Sequence, residues 1–125
     1  MTYDSGTLTF YVNGVKSGVR TGVPIPASRV APVRIGIRAT DSYRAFQGGI
    51  DEVRIWTRTL TQEEIQANMN GELSGDEPGL VAYYNFNESA GQTAYDNTSN
   101  QNDGTLGSTI GVDGNDPEWV DQITN

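Results

Sequence analysis

The chain has 125 residues, with 16 Asp and Glu against 8 Lys and Arg and a net charge of −8. Such a surface repels nucleic-acid phosphates and anionic membranes, and suits a cation or a soluble partner. With no cysteine and no histidine, disulfides, Ser-His-Asp and Cys-His chemistry and an ordinary zinc site are all ruled out.

Hydrophobic residues make up 35% and there are 15 glycines, which predicts one domain-sized all-β unit with a thin core and many turns. No apolar run reaches the roughly 18 residues that a membrane crossing needs, so no membrane insertion is expected. MTYDSGTLTF carries no signal-peptide pattern, and an export signal is expected outside this chain.

In chain order, TLTFYVNGVKSG (7–18) predicts a hairpin. Leu8, Phe10 and Val12 alternate with Thr7, Thr9 and Tyr11, and Asn13-Gly14 supplies the two left-handed residues of a type I′ turn. GVPIPASRVAP (22–32) holds three prolines and predicts a loop or sheet edge. VRIGIRA (33–39) returns to alternation and predicts a strand, a polar loop fills 40–49, and GGIDEVRIW (48–56) predicts the next strand.

A single helix follows over 61–70. Thr61 is its N-cap and Glu64 completes a capping box; Leu60 and Ile65 form a staple, and Gly71 is the expected left-handed stop. ELSGDEPGL (72–80) is linker-like, LVAYYNF (80–86) is a dense strand, and a weak strand lies near 104–110 before PEWVDQI. Composition shifts after about residue 76, which divides the chain into 1–76 and 77–125.

Asp51 raises the first functional question. In a strand over 48–56, Asp51, Val53 and Ile55 share one face, and Ile50, Glu52, Arg54 and Trp56 the other. A carboxylate beside an apolar row needs a partner, because desolvating it costs several kcal/mol or more. Backbone N–H groups or a guanidinium such as Arg54 or Arg44 would serve, and so would a metal ion.

Four pieces, LTFYVNGV, FQGGIDEVRIWTRTLTQEEIQANM, GLVAYYNFNESAGQTAYDNTSNQNDGTL and PEWV, together resemble the laminin-G-like jelly rolls of the concanavalin A-like lectin/glucanase superfamily. The resemblance implies an antiparallel β-sandwich with one short surface helix. Its order here is reversed, since motifs that usually close such a domain precede those that open it. The chain reads either as the closing half of one jelly roll joined to the opening strands of the next, or as a reduced sandwich. In the second, favoured reading, residues 80–125 complete the fold begun by 3–70. Open edges and apolar faces on a half sandwich would invite self-association or strand exchange.

The resemblance also implies a structural calcium where the first and last strands meet, with Asp51 as the leading ligand. Calcium takes about 6–8 oxygens, and Asn85, Asn87, Asp96, Asn100, Asn102 and Asp103 supply candidates, with Asp96 and Asp103 next in order. DNTSNQNDG (96–104) is not an EF-hand, because Gln101 stands where glycine and Gly107 where glutamate is needed. The same residues also simply make turns.

Glucanases of this superfamily carry a Glu-x-Asp-x-x-Glu strand, with nucleophile and acid about 5–5.5 Å apart. That pattern is missing, so no catalytic residues are assigned. Ligand contact falls to Tyr43, Arg44 and Trp56 ahead of Tyr3, Tyr11, Tyr83, Tyr95 and Trp119. The expected function is a non-catalytic binding or adhesion module in a longer secreted or cell-surface protein, recognising a glycan or an extracellular protein. The alternative is a spacer or assembly repeat without a ligand, with a glycoside hydrolase a distant third.

Overall fold

A computed structural model describes residues 1–25, 32–37, 45–107 and 116–120. Over these the protein is antiparallel β structure with one short helix, as the composition predicts. A meander of β1 (Thr2–Asp4), β2 (Thr7–Val12) and β3 (Val15–Arg20) comes first. The β2–β3 turn is Asn13-Gly14, with φ of 50° and 71°, as a type I′ turn requires.

β4 (Val53–Trp56) begins later than the alternation implies, because Glu52 sits at φ 53° and breaks the extended run. Residues 33–37 do not form the predicted strand; they contribute one bridge, Ile37 to Ala45. Residues 38 and 39 lie outside the description, as do 108–110 of the weak strand. α1 (Gln62–Asn68) carries the full Thr61–Glu64 capping box. Its end differs from expectation. Gly71 is not left-handed, and the guanidinium of Arg54 instead donates to the Asn68 and Gly71 carbonyls.

β5 (Leu80–Tyr84) pairs with β4 across the 76/77 composition shift, matching Val53 with Tyr84, Arg54 with Tyr83 and Ile55 with Ala82. Phe86 at φ 49° ends it before the predicted residue 86. β7 (Gly104–Thr105), at the start of the weak strand predicted near 104–110, pairs with β6 (Thr93–Ala94), which lies in a polar stretch where no strand was predicted.

The alternation of β4 and β5 sends Val53, Ile55, Ala82 and Tyr84 to one side. There Ala82, Tyr84, Ala94 and Leu106 form the buried core, flanked by Val53, Ile55, Phe86 and Trp119. Trp119 is pinned by its indole N–H donating to the Gly91 carbonyl at 2.8 Å. The meander contributes nothing to this cluster.

Candidate binding cleft

The two edges of the β4–β5 pair are treated differently. On the outer edge of β5, Tyr83 N–H donates to Asp96 Oδ1 at 3.0 Å. The Tyr83 carbonyl accepts from Asn97 N–H at 2.8 Å and from its side-chain amide at 3.3 Å. The Val81 carbonyl accepts from Asn100 and Asn102 side-chain amides at 3.1 and 3.0 Å, and from Thr98 Oγ1 at 3.5 Å. The loop 96–102 thus substitutes for a neighbouring strand and seals this edge.

Asp96 is the keystone of that loop. Its Oδ1 accepts the N–H groups of Tyr83 and Thr98, both at 3.0 Å, and its Oδ2 accepts Thr98 Oγ1 at 3.0 Å and Asn102 N–H at 2.9 Å. Burial pushes this carboxyl's pKa up, but the bonds from Thr98, Tyr83 and Asn102 outweigh it and hold the pKa below its ordinary 3.8. A carboxylate offers about four lone-pair sites, and all four are used by the protein's own donors. Asp103 Oδ1 in turn accepts the Asp96 N–H at 2.9 Å.

This arrangement bears on the calcium expectation. Asp96, Asp103, Asn100 and Asn102 are indeed brought together. Asn100 and Asn102, however, turn their amide nitrogens toward Val81 rather than oxygens toward an ion. Among the described residues no group of three acidic side chains is close enough to share a metal ion, so Asp51 does not join Asp96 and Asp103 in one. Asp51 is exposed, ahead of the strand, and its Oδ1 accepts the Glu52 N–H at 2.8 Å. The residues of the loop, as placed, fit an internal lock and not an oxygen cage for calcium.

The carboxylate that does reach a partly buried position is Glu52, which composition and spacing did not single out. Its left-handed backbone turns the side chain onto Tyr83, whose hydroxyl donates at 2.9 Å, and onto Arg54 Nη2. Tyr83 is 1% exposed, and its hydroxyl also accepts Leu73 N–H at 3.3 Å. Burial, together with Glu52 as acceptor, pushes the Tyr83 pKa above 10.0, so it serves as a donor and not as an acid. The i, i+2 spacing of Glu52 and Arg54 was a signal for this pair; the Tyr83 partner follows only from the strand register.

Among the described residues the other edge of β4 has no such seal. Val81 and Tyr83 face the loop, so Ala82 and Tyr84 turn their backbone groups to β4, and in this register Arg54 N–H and C=O point away from β5. This part of β4, Arg54 to Trp56, also lines a cleft of about 700 Å³, together with Thr2 and Tyr3 of β1, Thr57 after β4, Ile65 of α1 and Met69 at its C-cap. β1 is likewise an outermost strand of its sheet. Thr59 Oγ1 donates to the Tyr3 carbonyl at 3.0 Å and ties the two elements together at one end.

Trp56, one of the predicted ligand contacts, lies in this wall. The Arg58 guanidinium lies 5.5 Å from its ring centroid, held there by Glu64 Oε1 at 2.8 Å and the Pro78 carbonyl at 3.0 Å. Tyr43 and Arg44 lie outside the described residues.

A family model of the concanavalin A-like lectin/glucanase superfamily, of laminin-G type, matches residues 1–66. The chain belongs to this superfamily. The match spans the meander, β4 and most of α1, the elements that border the cleft. No curated protein and no solved structure matches the chain. Laminin-G-like domains are in general lectin-like or other binding modules, and typically extracellular. Among the described residues no helix is long and apolar enough to cross a membrane.

Proposed function

We propose that this protein is a non-catalytic, extracellular recognition module that takes an extended protein segment into the cleft between β1 and β4. The supporting observation is the contrast between the two sides of one sheet. The outer edge of β5 is sealed by five residues of its own loop, whereas among the described residues the other edge of β4 is unsealed, and β4 lines a cleft large enough for a short strand. A strand added there would pair with Arg54, and its alternate side chains would meet Ile55, Trp56 and Met69. Calcium has no part in this reading.

Glycan recognition competes for the same wall. A sugar needs a free aromatic platform, and Arg58 already occupies one face of Trp56. Screening the protein against a random extended-peptide library and a glycan array separates the two. Peptide binders that shift the Arg54 amide resonance and the Trp56 fluorescence are expected. Glycan hits without peptide hits, or peptides that leave the Arg54 amide unmoved, would overturn strand addition at β4.

A further inference from the structure

Two Asn-Gly dipeptides occur in the chain, Asn13-Gly14 and Asn70-Gly71. The pair is chemically labile, because glycine has no side chain to shield its nitrogen or restrict its backbone. That nitrogen can close on the carbonyl carbon of the asparagine side chain. Asn13-Gly14 is held against this. Asn13 at φ 50° and Gly14 at φ 71° form the type I′ turn, closed by the Val12–Val15 pair. α1 lies against the turn: Gln66 Nε2 donates to the Gly14 carbonyl at 3.0 Å, and Gln62 Oε1 accepts the Lys16 N–H at 3.1 Å. Gly14 is buried, and a Cβ on it would meet the Gln66 and Met69 side chains at 2.8 Å. Closing the ring needs rotation about the Asn13 Cα–C bond, which swings Gly14 out of these contacts, so the reaction waits on local opening.

Asn70-Gly71 has no such restraint. It lies beyond Met69, the C-cap of α1, and both residues are exposed. Among the described residues the Asn70 side chain makes no hydrogen bond. Gly71 is not left-handed, and a Cβ built on it meets nothing within 4 Å. Its carbonyl accepts from Arg54 Nη2, but that bond lies on the far side of the Gly71 Cα from the reacting nitrogen.

We infer that Asn70 is a site of spontaneous deamidation, and that α1 protects Asn13 from the same reaction. The Gly71 nitrogen loses its proton and bonds to Asn70 Cγ. The Cγ–Nδ2 bond breaks, and the side-chain nitrogen takes up a proton and leaves as ammonia. Water then opens the cyclic imide at either carbonyl, giving aspartate or isoaspartate, with nothing oxidised or reduced. Either product adds a negative charge. The isoaspartate also lengthens the main chain by a methylene just before Gly71, and so shifts the carbonyl that Arg54 grips.

Peptide mapping by mass spectrometry tests this, on protein incubated in mildly alkaline buffer with and without urea. In native buffer Asn70 is expected to convert at least about tenfold faster than Asn13, whereas in urea the two convert at similar rates. Gly71→Ala, for which the open space around Gly71 leaves room, should slow conversion of Asn70 at least about tenfold, because the added methyl shields the nitrogen. The isoaspartyl fraction, separated by ion exchange, should melt below Asn70→Asp, which carries the same charge on an unaltered backbone. An Asn70 that stays intact in native buffer, an Asn13 that keeps pace with it there, or a Gly71→Ala rate equal to the wild type's would overturn the site. Equal melting of the isoaspartyl fraction and Asn70→Asp would overturn its link to Arg54.

Discussion

Asp96 shows how one side chain can organise a stretch that composition marks only as turn-rich. It gathers three backbone N–H groups and one hydroxyl, spanning β5 and both ends of the loop. Replacing it with alanine strands those donors, and bonds to a charged acceptor contribute about 1.5–3 kcal/mol each. Asp96→Ala should therefore cost about 3 kcal/mol, read from urea unfolding. Asp96→Asn should cost less, because it retains one acceptor oxygen. Acid acts through the same group. Its folded pKa lies below the ordinary 3.8, so its contribution is complete above that value and is lost as pH falls through the folded pKa. Acid unfolding of the wild type should thus steepen below about pH 4, and Asp96→Ala should flatten that part of the curve. An unchanged acid limb would remove Asp96 from this role.

At the level of elements, the unexpected linker is Arg54. α1 has acidic residues in its first turn and no basic residue in its last, so its negative end lacks local compensation. Arg54 supplies it from a neighbouring strand, while also pairing with Glu52 and lying 5.4 Å from the Tyr83 ring centroid. With side-chain exposures of 12% and 30% for Arg54 and Glu52, removing the cation leaves a partly buried carboxylate with no counter-charge and only the Tyr83 hydroxyl as donor. Arg54→Ala should cost about 3 kcal/mol. Arg54→Lys should recover only part of this, since one ammonium cannot reproduce the planar fork across Glu52, Asn68 and Gly71. Equal stability of the Lys variant and the wild type, by thermal melting, would show that charge alone matters.

For the molecule as a whole, the loop lock carries a consequence for ions. A cation bound between β4 and the 96–103 loop would have to displace the four donors on Asp96, and a native-state ligand raises the melting temperature in proportion to its occupancy. With those donors in place, melting in EDTA and in millimolar calcium should coincide. A rise of several degrees in calcium, abolished in Asp96→Ala, would mean that the loop rearranges around an ion.

Local signals determined a good part of this protein. The type I′ turn, the capping box, the all-β class and the apolar alternation of β2 each depend on residues within a few positions of one another, where sequence and geometry are tightly coupled. GLVAYYNF was legible as a strand for the same reason, and Trp56 as part of a candidate wall. Tertiary structure alone decided which carboxylate is buried. Glu52 adopts a left-handed backbone that ends the alternation, so Asp51 falls outside the strand and Glu52 turns inward to Tyr83, while Asp96 is buried among its own four donors. It also decided that the Asn/Asp loop seals β5, and that the hairpin's apolar face is left without a layer of this core against it. Those outcomes rest on register and on pairings between residues tens of positions apart, which no local pattern encodes.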